Sequence, residues 1–219
     1  MSIRYQEEKL FSDWSIGRSD FVTDGVIDEQ LYLGSQKKLL FVLKEVNDLG
    51  GGGWDLREFV RAGGRAQTWN NIARWVEGIR NLPEDLTWSS LEIMDEPRRQ
   101  AALSSIAVMN LRKSPGGHTT DIARLTEDAN RDMELINRQI AIYDPDYLIC
   151  CGTSDLLHSL VQFPQPPEWK STARGVWYHE PRAGKYVIAY SHPEARCASN
   201  LLHYGLVDAI REIGLYNVK

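Results

Sequence analysis

The sequence has little of the cysteine that secreted and metal-binding domains use. Its 219 residues contain three cysteines, and two of them, Cys150 and Cys151, are adjacent within an apolar run. Three cysteines cannot form an even disulfide framework, and their spacing contains no Cys-x-x-Cys pair. We therefore expect reduced, buried thiols, no bound metal and no cofactor.

Long apolar runs and an excess of positive charge are also missing. No stretch approaches the about 18 to 20 apolar residues that cross a bilayer, and the first residues lack the basic and then apolar run of a signal peptide. The formal net charge of −5 is unfavourable for a protein that coats nucleic acid, although it permits a local basic groove. We expect a soluble, cytoplasmic monomer with no membrane partner, formed by one domain of residues 1–219.

Four short apolar runs predict the strands of a sheet. Apolar character that is continuous rather than alternating is typical of parallel strands buried on both faces. The runs are Leu39–Leu43, Ile106–Met109, Tyr147–Cys151 and Tyr186–Tyr190.

Between and after these runs, apolar residues recur at helical spacing. The predicted helices are Thr68–Ile79, Asp121–Ile142, Ser154–Leu160 and Ala198–Ile213, and residues 81–100 and 161–184 are predicted to be irregular. Strands that alternate with helices favour an α/β fold. We predict a three-layer α/β/α sandwich with a central four-stranded, mainly parallel sheet.

Polar and charged residues follow each predicted strand. Ligands of open parallel sheets bind outside the carboxyl ends of the strands, so these residues are the candidates for a site. In chain order the four segments are Lys44-Glu45-Val46-Asn47-Asp48, Asn110-Leu111-Arg112-Lys113, Gly152-Thr153-Ser154 and Ser191-His192-Pro193-Glu194-Ala195-Arg196. They combine a carboxylate, an amide, an imidazole and several cations.

In this order the four segments resemble the uracil-DNA glycosylase superfamily over roughly residues 38–213. In that family the first strand precedes a Gly-x-Asp-Pro or Gly-x-Asn-Pro loop, the second ends in Asn, the third ends in Gly, and the fourth runs into His-Pro-Ser-Pro. The matching residues here are Glu45 in the first loop, Asn110, Gly152 and the pair His192-Pro193. Each motif alone is weakly specific, but four in the same order are more so.

The resemblance implies a role for each matching residue. Glu45 would position or deprotonate the water that attacks C1′ of the sugar, and His192 would stabilise the negative charge on the departing base. Asn110 would bind the pairing edge of the flipped base, and Arg196 would fill the gap left in the duplex. No lysine of the motifs matches a Schiff-base lyase, so the product would be an abasic site.

Other residues near the motifs are expected to contact the base or the DNA backbone, in single- or double-stranded DNA. Asn47 and Trp54 are candidates for base recognition, and Trp54 is suited to stacking. The expected DNA contacts are Lys44, Arg112, Lys113, Gly152, Ser154, Pro193 and Arg196.

The first loop departs from the family pattern. Glu45 replaces Asp or Asn and is one methylene longer, so either Glu45 or Asp48 is the residue that positions the water. The aromatic that excludes 5-substituted bases is absent, and residues 50–53 are four glycines that indicate a flexible or closely approached loop. This favours a bulky 5-modified pyrimidine over uracil. Glucosylated hydroxymethylcytosine of phage DNA is one such base, and its excision would serve antiviral defence.

Alternative interpretations remain open. The chain is alternatively a uracil-DNA repair enzyme, a non-catalytic DNA sensor on the same fold, or a nucleosidase that acts on small molecules. His192 is alternatively a turn or core histidine. Glu45 has a structural interpretation if Lys44 neutralises it, because a buried carboxylate needs a partner.

Overall fold

The computed structural model describes residues 1–162 and 168–215. Its sheet contains seven strands, which in chain order are β1 Gly25–Val26, β2 Leu39–Leu43, β3 Ala107–Asn110, β4 Tyr147–Cys151, β5 Lys170–Ser171, β6 Trp177–Arg182 and β7 Lys185–Tyr190. They lie side by side in the order β1-β3-β2-β4-β7-β6-β5. The four predicted strands are β2, β3, β4 and β7, and their pairings are parallel.

The prediction of a mixed α/β fold with a mainly parallel sheet is confirmed, but the predicted number of strands is wrong. β1, β5 and β6 extend the sheet at its edges through antiparallel pairs. Two of these strands have only two residues, too few for a recognisable pattern, and β6 is polar and partly exposed. Residues 163–167, in the predicted irregular segment, lie outside the described residues.

Helices cover both faces of the sheet. Along β2 every residue is buried, and alternate side chains enter two different apolar clusters. One cluster includes residues of α3 Leu56–Arg61, α4 Ala66–Asn81, α6 Glu96–Ser104 and α10 Ser199–Leu215, and the short α5 Trp88–Leu91 contributes Leu91 to the core. The other includes residues of α1 Ile3–Trp14, α2 Glu29–Gly34, α7 Ile122–Arg131, α8 Met133–Tyr143 and α9 Ser154–Leu160.

The long helix predicted over Asp121–Ile142 is two helices. Asp132 separates α7 from α8, and its buried carboxylate accepts two hydrogen bonds from Arg18, at 2.6 and 2.5 Å. A planar guanidinium suits such a two-point contact with a carboxylate. The break therefore allows Asp132 to form an ion pair with Arg18, and apolar periodicity does not reveal such a pair.

The order of the strands creates a crevice at one edge of the sheet. The chain after β2 passes over the face with α4 to β3 on one side, whereas the chain after the neighbouring β4 passes over the other face through α9 to β7 on the opposite side. Neighbouring strands whose connections leave in opposite directions open a crevice beyond their carboxyl ends.

No helix among the described residues is long and apolar enough to cross a membrane.

Candidate functional site

A cavity of about 1010 Å³ lies at the carboxyl edge of the sheet. The loop after β2, the end of β3 with the loop after it, the start of α4 and the loop after β7 all contribute to its wall. Six predicted site residues line it, namely Lys44, Glu45, Asn47, Trp54, Asn110 and His192. The structure thus brings together residues that are up to about 150 positions apart in the sequence.

The side chain of Glu45 is buried, and one of its two carboxylate oxygens accepts a hydrogen bond from a described residue. Its side chain is 4% exposed, and Nη1 of Arg112 donates to Oε2 at 2.6 Å. Oε1 is buried and has no hydrogen-bond partner among the described residues. The partner that neutralises Glu45 is therefore Arg112 rather than Lys44, which the structural interpretation of Glu45 required.

Gly116, in the loop after β3, lies directly against the Glu45 carboxylate. A Cβ at this position would overlap both Cδ and Oε1 of Glu45. The Gly116 N–H donates to the carbonyl oxygen of Val46 at 2.8 Å, and the Gly116 carbonyl accepts from the N–H of Asp48. Backbone hydrogen bonds therefore join the loop after β3 to the loop after β2 beside the carboxylate.

Asp48 organises the glycine-rich loop. Its carboxylate accepts from the indole Nε1 of Trp54 at 2.8 Å and from the backbone N–H groups of Gly50 and Gly52. The bond from Trp54, followed by those from Gly50 and Gly52, lowers the pKa of Asp48. Gly52 has φ +78 and lies against the backbone carbonyl of Asp20, so the close approach expected for this loop is found there. Asp48 thus has a structural task in the loop, whereas Oε1 of Glu45 has no partner in the part of the chain that the structure describes.

His192 faces the cavity as a neutral imidazole. The backbone N–H of Glu194 donates to Nδ1 at 3.1 Å, so Nδ1 is the unprotonated nitrogen and the ring proton is on Nε2. Burial lowers the pKa of His192, and the charge of Lys44 lowers it further while Glu194 raises it. The ring therefore offers the cavity a hydrogen-bond donor without a positive charge.

The first turns of α4 hold the His192 loop. Asn71 donates from Nδ2 to the carbonyl oxygen of Pro193 at 2.8 Å, while the Thr68 hydroxyl and Arg65 bind the carboxylate of Glu194. Thr68 also lines the cavity. Periodicity assigned this helix only to the core, so it gave no indication of these contacts.

Two predicted DNA-binding cations are internal. Lys113 has a side chain that is 0% exposed, and its Nζ lies 2.7 Å from both carboxylate oxygens of Asp24. Arg112 is 4% exposed and uses Nη1 and Nε on the carboxylates of Glu45 and Asp128. The prediction that these residues contact DNA is therefore wrong. Basic residues after a strand pair with acids that come from other parts of the chain.

Asp24 connects this buried pair to the base-recognition candidate. Its Oδ2 accepts from the backbone N–H of Asn110 at 2.7 Å, and its Oδ1 accepts from the amide of Gln139. The fully buried carboxylate thus fixes the end of β3 from which the Asn110 side chain enters the cavity.

The other predicted DNA contacts lie around the cavity rather than in its wall. Pro193 is buried, and its carbonyl accepts a hydrogen bond from Asn71. Gly152 has φ +69 and packs against His192, Ser154 begins α9, and Arg196 is exposed.

Several polar and glycine residues of the cavity wall were not predicted from the sequence as site residues. Apart from Thr68 they are mainly in the loop after β3, whose polar residues resemble those of any surface loop. They are Gly117, His118, Thr119 and Thr120, together with Arg65, Gln67 and Glu194.

A scan against protein-family models finds no match for this chain, and neither does a search of curated proteins. The interpretation of the site therefore depends on its geometry and on the order of its motifs.

Proposed function

We propose that the protein is a monofunctional DNA glycosylase that hydrolyses the N-glycosidic bond of a flipped, modified pyrimidine and leaves an abasic site. The observation that carries this proposal is that Glu45 and His192 both line one cavity. Glu45 supplies a buried carboxylate in which Oε1 has no hydrogen-bond partner among the described residues, and His192 supplies a neutral N–H donor.

The two groups act on opposite sides of the glycosidic bond, Glu45 on the sugar and His192 on the base. A water held by the Glu45 carboxylate attacks C1′ and transfers a proton to that carboxylate. The C1′–N1 bond breaks, its electron pair leaves with the base, and Nε2–H of His192 donates to the base oxygen on which negative charge develops. The negative carboxylate also stabilises the positive charge that forms on the sugar.

The fold supports the same proposal. A uracil-DNA glycosylase-like sandwich requires helices on both faces of a parallel sheet and four motifs at one edge. Here Glu45, Asn110 and His192 line one cavity, and Gly152 packs against His192. The chain order of the motifs and their spatial neighbourhood therefore agree with the resemblance on which the proposal is based.

The cavity has room for a substituted base as well as for uracil. Pockets of about 300–1,000 Å³ accept ligands of drug size, which exceed a bare pyrimidine, and this cavity is about 1010 Å³. Its wall includes the polar side chains of His118, Thr119 and Thr120, which can hydrogen-bond to sugar hydroxyls. We propose a 5-substituted cytosine such as glucosylated hydroxymethylcytosine of phage DNA as the substrate, with uracil as the alternative.

The test is incubation with unmodified, uracil-containing and phage-modified genomic DNA, with detection of abasic sites and mass analysis of released bases. We expect release from one modified DNA, and loss of release in Glu45→Gln and His192→Ala. Salt-sensitive binding without release from any DNA would instead support a DNA sensor. Turnover of free nucleosides without DNA would support a nucleosidase.

A further inference from the structure

Arg112 lies between two carboxylates and is fixed at both its backbone and its side chain. Its Nη1 is 2.6 Å from Oε2 of Glu45, and its Nε is 2.6 Å from Oδ2 of Asp128. Its backbone N–H donates to the carbonyl oxygen of Lys44 at 3.0 Å. Two hydrogen bonds in different directions fix the plane of the guanidinium, which a single ion pair would not do.

We propose that Arg112, Asp128 and Gly116 form a support that positions the Glu45 carboxylate for its reaction with water. This inference depends on the proposed glycosylase function. A glutamate side chain has several rotatable bonds, and ordering it costs conformational entropy. In the Glu45 support the side chain is already ordered before substrate binds, because Arg112 holds Oε2 and the carboxylate lies against the backbone of Gly116.

Each member of the Glu45 support has a distinct physical task. Asp128 holds Nε of Arg112, so that Nη1 stays directed at Glu45. Gly116 leaves room for Oε1, since a Cβ there would overlap the carboxylate. Because misplacing a reacting group by about 1 Å costs about 10²-fold in rate, loss of either contact should slow the chemical step.

The main test compares kcat and KM for base release by three variants. We expect Arg112→Met and Gly116→Ala each to lower kcat by about 10²-fold, with KM and DNA affinity within about threefold. The matched control is Arg131→Ala, which removes an exposed arginine from the same Asp128 carboxylate and should retain wild-type kcat. Wild-type kcat in both test variants, or a loss confined to KM, would overturn the proposal.

Gly116→Ala keeps the proposal falsifiable if Arg112→Met does not fold. Removing Arg112 leaves the buried Glu45 carboxylate without its partner, which is strongly destabilising, although Asp128 keeps its ion pair with Arg131. Gly116→Ala leaves every charge in place. If the effect is steric, adding Gly116→Ala to the shorter Glu45→Asp should cause little further loss. Fully additive losses would contradict a contact between the two positions.

Chemical rescue separates positioning from general structural damage. Millimolar guanidinium should restore part of the kcat of Arg112→Ala, which leaves an empty site, but not that of Arg112→Met, in which the methionine side chain fills the space. Equal responses of the two variants would argue against the support.

A measurement without turnover distinguishes failure of this inference from failure of the proposed function. If the wild type releases no base from any DNA, the function fails, and the support is then judged by the guanidinium resonances of Arg112 in ¹⁵N NMR. Glu45→Ala should shift these resonances and speed their exchange with water, whereas Glu127→Ala, at an exposed position next to Asp128, should not. Unchanged resonances in Glu45→Ala would overturn the support.

Discussion

The backbone N–H of Glu194 donates to Nδ1 of His192, and this bond decides which form of the imidazole faces the cavity. Protonation of Nδ1 would place two donors against each other and displace the ring. The neutral form is also favoured by burial, which lowers the pKa of His192. The geometry and the electrostatics of the loop therefore stabilise the same state.

Neutralising Lys44 should raise the pKa of His192, because the positive charge of Lys44 lowers it. Wild-type base release should fall only at pH values below the ordinary histidine pKa of about 6.5. In Lys44→Met this acid limb should move to higher pH. The measurement is a ¹H NMR titration of the His192 ring together with the pH dependence of kcat.

The control for this prediction is Lys9→Met, which makes the same charge change at an exposed position of α1. It should leave the titration of His192 unchanged. An unchanged or lower pKa in Lys44→Met would contradict the electrostatic assignment.

Glu45→Gln should lower kcat by about 10² to 10⁴-fold, the usual contribution of a general base. DNA binding should be retained, because glutamine has nearly the same shape and still accepts from Arg112. Asp48→Asn should cause a smaller loss, since Asp48 organises the loop through Trp54 and two glycine N–H groups. Single-turnover rates of both variants on the same DNA provide the measurement. A larger loss of kcat in Asp48→Asn than in Glu45→Gln would indicate that Asp48 is the general base.

Lys113 and Arg196 should respond in opposite ways to removal of their charge. Lys113→Met leaves the buried Asp24 without its cation and should destabilise the protein by about 3–5 kcal/mol. It should not alter the salt dependence of DNA binding. Arg196→Ala, at an exposed position, should change the free energy of unfolding by less than about 0.5 kcal/mol. If Arg196 contacts a phosphate, it should also reduce the slope of log K against log salt by about 0.9.

Urea unfolding and DNA titrations at several salt concentrations measure the two quantities. The reverse pattern, in which Lys113→Met changes the slope and leaves stability intact, would restore Lys113 as a DNA contact.

Asn71→Ala should lower the free energy of unfolding by about 1–3 kcal/mol, because it removes a donor from the carbonyl of Pro193 and an acceptor from Arg74 inside the protein. It should also reduce kcat by loosening the His192 loop. The matched control is Asn130→Ala, whose amide donates to a backbone carbonyl at an exposed position and should change stability by about 0.5 kcal/mol or less. Equal effects of the two substitutions would argue against the anchoring role of Asn71.

The parallel strands could be predicted because strands buried on both faces consist of continuous apolar runs. The predicted Leu39–Leu43 and Tyr147–Cys151 are the observed β2 and β4. β3 begins and ends one residue later than predicted, and β7 begins one residue earlier. The helix over Ser154–Leu160 is also as predicted. Continuous apolar runs identify the buried strands without any knowledge of contacts between distant parts of the chain.

The partners of the charged residues could not be predicted, because they depend on pairs that are far apart in the chain. Asp24 binds Lys113 and Glu45 binds Arg112, across separations of 89 and 67 residues. From the sequence alone, Lys113 and a surface lysine after a strand look the same. The strand ends therefore identified which residues gather at the site, but not which of them remain available to a ligand.

The backbone contacts between Gly116 and the segment Val46–Asp48 have a consequence for the dynamics of the site. Because the two loops share these hydrogen bonds, neither can open alone without breaking them. The amide hydrogens of Asp48 and Gly116 should therefore exchange with solvent through a common opening event, with similar protection factors. Ligands that order the loop bearing His118 will then slow amide exchange next to Glu45, even without touching that residue.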